Sequence, residues 1–164
     1  MATKPTETAR LLKLARQQPI LRVKDLLEAG IHPEHLRRLH RKGVMERTSR
    51  GVYRLADADY TEHLSLAEVA KRVPHGVVCL LSALLFHGVG TQLPPDVWLA
   101  VERQAARPTS MNPRLRVVRM SGPAFSEGIE ERQIEGVRVR VYCPAKTVVD
   151  CFKFRNKVGL DVAL

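Results

Sequence analysis

The tetrapeptide Gly30-Ile31-His32-Pro33 constrains the fold of this chain more than any other stretch. Glycine readily takes the left-handed conformation that closes a helix. Proline, with its fixed φ and missing N–H, suits the first position of the next one. With only two residues between them, two helices must meet at a tight turn. Upstream, Val23, Leu26 and Leu27 recur at i, i+3 and i+4 and predict a short helix from about Arg22 to Ala29. Before that, Thr6 can cap a helix reaching about Gln18, with Leu11, Leu12 and Ala15 inward and Pro19 ending it. The helix begun at Pro33 ends at Gly43. "VMER" and "VYRL" then form two β-prone runs joined by "TSRG", which reads as a hairpin. Helix, short helix, glycine turn, helix and hairpin make the order of a winged helix-turn-helix.

Charge says what such a module would meet. The net charge is +10. Residues 1–55 hold 13 Lys or Arg against 5 Asp or Glu, and residues 56–164 hold 14 against 12. A solubilising surface would spread that excess. Its confinement to one end points to a polyanion, and nucleic acid is the commonest.

The third helix can be phased at about 100° per residue. Leu36 and Leu39, with His40 and Gly43 close by, face the other two helices, so His40 reads as a packing residue. Glu34, Arg38 and Arg41 lie opposite, flanked by His35, Arg37 and Lys42. Arginine can bond guanine O6 and N7 bidentately in the major groove, whereas Lys42 suits a phosphate. Arg47 and Arg50 flank the hairpin tip and can reach the backbone or minor groove. These eight residues, Glu34, His35, Arg37, Arg38, Arg41, Lys42, Arg47 and Arg50, are the candidate DNA contacts.

Residues 56–64, polar and mildly acidic, read as a short tether. Beyond it, residues 65–164 read as a second, mixed α/β domain, making the whole chain α+β. "LSLAEVAKRV" predicts a helix capped by Ser65, and "CLLSALLFHG" a buried helix stopped by Gly88. "DVWLAV" and "RLRVVRM" predict strands, while "EERQI" and "VRVRVY" predict a hairpin around Glu135-Gly136. In the last strand Val137, Val139 and Val141 alternate with Arg138 and Arg140, giving one buried and one basic face. "PAKTVVDCFKF" predicts a helix with Val148, Cys151 and Phe152 inward. The closing "VGLDVAL" is a helical start without a cap, so the domain is expected to continue past Leu164.

In "LLSALLFHGVGTQLPPDVWLAV" and "VYCPAKTVVDCFKFRNKVGLDVAL" the sequence resembles the AbiEi family, antitoxins and transcriptional regulators of type IV (AbiE) toxin–antitoxin systems. The resemblance runs through nearly the whole chain. It implies a DNA-binding autorepressor on inverted repeats upstream of its own operon, self-associating on that DNA, and an antitoxin against a nucleotidyltransferase-like toxin. It places the recognition helix on Pro33–Lys42 and the wing on Val44–Leu55. It also implies antitoxin-domain positions at Ser82, His87, Lys146 and Asp150. The plainer readings are a polar contact within a helix for Ser82 and a helix C-terminal partner for His87. Lys146 and Asp150, at i and i+4, read most simply as a surface ion pair.

Enzyme chemistry finds no foothold. Asp96 and Glu102 echo a nuclease signature, but along one strand they lie about 20 Å apart, too far to share a metal. Neither a G-x-S-x-G elbow nor a phosphate-binding G-x-x-x-x-G-K-[ST] loop is present. Cys79, Cys143 and Cys151 form no C-x-x-C pair and have no histidine at ligand spacing, so neither a disulfide framework, a metal nor a cofactor is expected. Cys143 and Cys151 read as buried thiols. No apolar run reaches the roughly 18 residues of a membrane helix, and the first twenty residues lack a secretory h-region. The expected location is the cytoplasm. The alternative function is a ligand-responsive winged-helix regulator unrelated to any toxin.

Overall fold

The computed structural model describes residues 6–59, 62–109 and 113–164. The chain is mixed α+β, with helices at the N-terminus and a mixed sheet behind them. Helix α1 (Glu7–Gln17) begins where Thr6 Oγ1 accepts the N–H of Ala9 at 3.2 Å. Strand β1 (Ile20–Arg22) follows, then α2 (Val23–Glu28), whose first turn is closed by the Asp25 carboxylate accepting the N–H of Arg22 at 2.7 Å. At the turn Gly30 has φ +65°, and the N–H of Ile31 returns to the carbonyl of Leu26 at 2.8 Å. Helix α3 (Pro33–Arg41) starts on its proline, with His32 Nδ1 accepting the N–H of Glu34. Strands β2 (Met45–Ser49) and β3 (Val52–Leu55) form the expected hairpin, Gly51 supplying the positive φ of its turn.

Strand β1 was not expected. It pairs antiparallel with β3, giving a sheet of order β1-β3-β2. Three residues are too few for alternation to announce a strand; the hairpin edge recruits them. Leu27, expected inward, is exposed, while Leu11, Ala15, Leu21, Leu26, Leu36 and Leu39 share a core with Met45 and Tyr53.

The larger sheet comprises β4 (Val77–Val78), β5 (Val97–Glu102), β6 (Leu115–Met120), β7 (Ile129–Ile134) and β8 (Val137–Tyr142), in the order β6-β5-β4-β8-β7. Helix α4 (Leu64–Arg72) covers one face, packing on Leu99, Val101, Val139 and Val141. The other face carries α5 (Leu80–Phe86) and α7 (Pro144–Lys153), and a short α6 (Pro123–Ser126) lies between β6 and β7. Two four-residue helices, α8 (Arg155–Val158) and α9 (Leu160–Ala163), end the chain. The expected alternation in β8 is present: Val137, Val139 and Val141 are buried and Arg138 is exposed. Ser65 makes no cap, since α4 begins at Leu64 without a capping side chain.

Helix α4 also touches the smaller sheet. Ile20 and Val52 belong to the same apolar cluster as Leu66, Val69 and Val73. Lys71 pairs with Asp25 at 3.0 Å and Arg54 with Glu68 at 3.6 Å. Glu68 is buried, and that burial, outweighing the attraction of Arg54, raises its carboxyl above the ordinary value.

Candidate nucleic-acid interface

Helix α3 is positioned by two buried leucines and by its histidines. Leu36 and Leu39 enter the core. His40 is an exposed residue, yet its Nδ1–H donates to the Met45 carbonyl at 3.0 Å and its ring stands edge-on to Tyr53. It therefore ties the helix to the hairpin. At the other end His35 Nε2 lies 2.9 Å from the Glu7 carboxylate, with the Thr8 hydroxyl 3.5 Å from Nδ1. His35 is thus a brace between α3 and α1 rather than a free group on the outer face.

The outer face is unevenly occupied. Glu34 is paired with Arg41 at 2.7 Å and with Arg37 at 3.6 Å. Both arginines are largely exposed, so these pairs hold them loosely. Arg38 projects between them, exposed and without a side-chain partner among the described residues. Lys42, at the helix end, and Arg50, at the hairpin turn, are equally open. Arg47 is exposed and folds its Nε–H onto the carbonyl of Ser49 at 3.3 Å, beside the irregularity that shifts the β2–β3 register. The eight expected residues thus fall on one helix and its adjoining hairpin. Arg54, on β3, turns away to Glu46 at 2.9 Å and to Glu68.

Three of the four candidate positions beyond residue 64 lie around the end of β8. His87, the last residue of α5's cap, donates Nε2–H to the Tyr142 carbonyl at 2.7 Å, and the Thr147 hydroxyl donates to that same oxygen at 3.2 Å. Lys146 lies over the Tyr142 ring, 4.6 Å from its centroid, and pairs with Asp150 at 2.6 Å. Ser82 stands apart: its Oγ accepts the N–H of Trp98 at 2.9 Å, tying α5 to β5. All these groups satisfy polar atoms of the fold. The Lys146–Asp150 pair, read as superficial, is instead mostly buried, with 16% of the Lys146 and 6% of the Asp150 side chain exposed.

This pair corrects the phase of α7. Thr147, Asp150 and Cys151 point inward, whereas Val148 and Phe152 are exposed and Val149 is 65% exposed. The carbonyl at the end of β8 needs donors and draws the polar side inward, overriding the apolar periodicity. Cys143, expected buried, is half-exposed. Burial pushes the Cys151 thiol up to about 11 and that of Cys79 higher still.

A compact basic module of three helices on a three-stranded antiparallel sheet is the class that residues 6–56 define. Residues 9–56 match the model of a family described as "Transcriptional regulator, AbiEi antitoxin", which spans all six of those elements from Ala9 onward. That description is of a regulator, not of an enzyme. No curated protein matches the chain. Among the described residues no three His, Cys, Asp or Glu side chains are grouped to hold a metal, and no helix is long and apolar enough to cross a membrane.

Proposed function

We propose that the chain is a DNA-binding autorepressor and an antitoxin of a type IV toxin–antitoxin system. Residues 1–55 act as a winged helix-turn-helix, 56–64 as its link, and 65–164 as the antitoxin domain. The observation that carries the reading is the open cationic face of α3, Arg38 and Lys42 with Arg37 and Arg41 beside them, on a module that matches the regulator family. In this reading α3 enters the major groove. Arg38 reads a base, Arg37 and Arg41 leave Glu34 for phosphates, and Arg47 and Arg50 hold the backbone from the wing.

Recognition of inverted repeats requires two copies of the protein per site, one on each half. The partner of the antitoxin domain is a nucleotidyltransferase-like toxin, with the β8–α7 junction around His87, Lys146 and Asp150, and Ser82 behind it, shaping the surface involved. The reading places the protein in the cytoplasm, where both partners reside, and assigns it no catalysis. Its test is binding of the whole protein to the duplex immediately upstream of its own coding sequence, beside a scrambled duplex of equal length. A clear preference for the upstream duplex supports the repressor. Equal binding to both overturns it.

A further inference from the structure

A cavity of about 870 Å³ opens beside β6, the edge strand of the larger sheet. Its described lining brings together Arg107, Arg114, Arg119 and Lys157, residues spread over fifty positions of sequence, and includes no carboxylate. Elsewhere on this sheet the arginines have acids or backbone carbonyls as partners. Arg132 meets Glu130 at 2.6 Å, Arg138 meets Glu131 at 3.5 Å, and Arg140 donates to the His75 carbonyl at 3.0 Å. Among the described residues, Arg114 alone of the cavity's cations has an acid, Asp96 at 3.3 Å, and it shares that acid with Arg116.

The cations also differ in their freedom. Arg119 Nη1 donates to the carbonyls of Arg103 at 2.6 Å and Ala105 at 2.8 Å, which pins the guanidinium in place. Its other N–H donors have no partner among the described residues. Among the described residues Arg107 has no side-chain partner, and the Lys157 ammonium has no acid, lying 5.7 Å from the Phe154 ring centroid. One guanidinium held by backbone carbonyls, one shared with Asp96 and two cations without an acid stand around a concavity, and such a surface concentrates anions. Leu115 and Val117, half-buried, supply an apolar wall in the same cavity.

We propose that this cavity binds a nucleoside di- or triphosphate, the phosphates on Arg107, Arg119 and Lys157 and the base against Leu115 and Val117. The volume falls within the roughly 300–1,000 Å³ of small-ligand pockets. A duplex presents its phosphates on a convex surface and does not fill a concavity of this kind. The site is separate from α3, so DNA recognition and nucleotide binding stand or fall independently.

The test is calorimetry on the whole protein with ATP, ADP, AMP and adenosine. Measurements are repeated on the double variant Arg107→Ala, Lys157→Ala, on Arg132→Ala, Arg138→Ala as a control of equal charge, and on Arg38→Ala. Both residues of the test pair are exposed, so the fold is expected to survive, which circular dichroism checks. ATP affinity should exceed that of ADP and AMP and fall about tenfold or more in the first variant, as loss of charge-assisted contacts requires, while the other two keep the parent's ATP affinity whatever their DNA binding. Absence of ATP binding would overturn the proposal. So would adenosine binding as tightly as ATP, or equal losses in the test and control variants. Loss in Arg38→Ala alone would move the anion to α3, and that result too sinks the nucleotide site.

Discussion

Glu34 decides how much of the α3 face is available. It is the acid between Arg37 and Arg41, and both pairs are exposed and weak. Glu34→Gln should release the two arginines, tighten binding to any duplex, and steepen the fall of log affinity with log salt by about one phosphate contact. A salt titration on scrambled DNA checks this; an unchanged slope would mean that these arginines do not face DNA. The thiols give a second residue-scale expectation. Cys79 and Cys151 are buried with raised pKa, hence protonated at pH 8, while Cys143 is partly exposed. Mass spectrometry after brief alkylation of the native protein should find one modified thiol, and three after denaturation.

Elements show which parts of the fold a sequence can announce. The turn from Gly30 to Pro33 and the cap at Thr6 were legible because each rests on the backbone chemistry of one or two residues. The outward set of α3 was legible because Leu36 and Leu39 fix its phase. Its internal pairing was not, since the Glu7–His35 brace joins residues 28 positions apart only after α1 and α3 pack. Helix α7 misled for a different reason. Periodicity favours Val148 and Phe152 as the inner side, but Thr147 and the Lys146–Asp150 pair have partners inside and win the position. Asp150→Ala should therefore cost about 3–5 kcal/mol in denaturant unfolding, as removal of one member of a buried pair does. A loss within a few tenths of a kcal/mol would show the pair to be solvated. On α4, Glu68 binds its proton more readily in the folded chain than in the unfolded one. Its contribution to stability is therefore greatest in acid and is lost as pH rises through the folded pKa. Glu68→Gln should raise Tm at pH 8, and the gain should shrink toward zero as pH falls below the ordinary carboxylate range. A lower Tm at pH 8 would mean that the pairing with Arg54 outweighs burial.

At the scale of the whole molecule, charge is divided between two places. The N-terminal third holds most of the excess and presents it on α3 and the hairpin, while the balanced remainder keeps a concavity beside β6 whose described lining has no carboxylate. The first was legible as a basic block; the second was not, because the residues that line it are far apart in sequence and the paired arginines around it look identical in composition. Helix α4 joins the two sheets through Ile20, Val52 and two ion pairs, so the α3 face is carried on a braced platform. That α3 reads DNA is the central claim, and it is tested most directly by the affinities of the parent and Arg38→Ala for the upstream and scrambled duplexes across a salt series. Arg38→Ala should lose about 1–3 kcal/mol on the upstream duplex, much less on the scrambled one, and so lose most of its preference. An equal loss on both duplexes, or none on either, would contradict it.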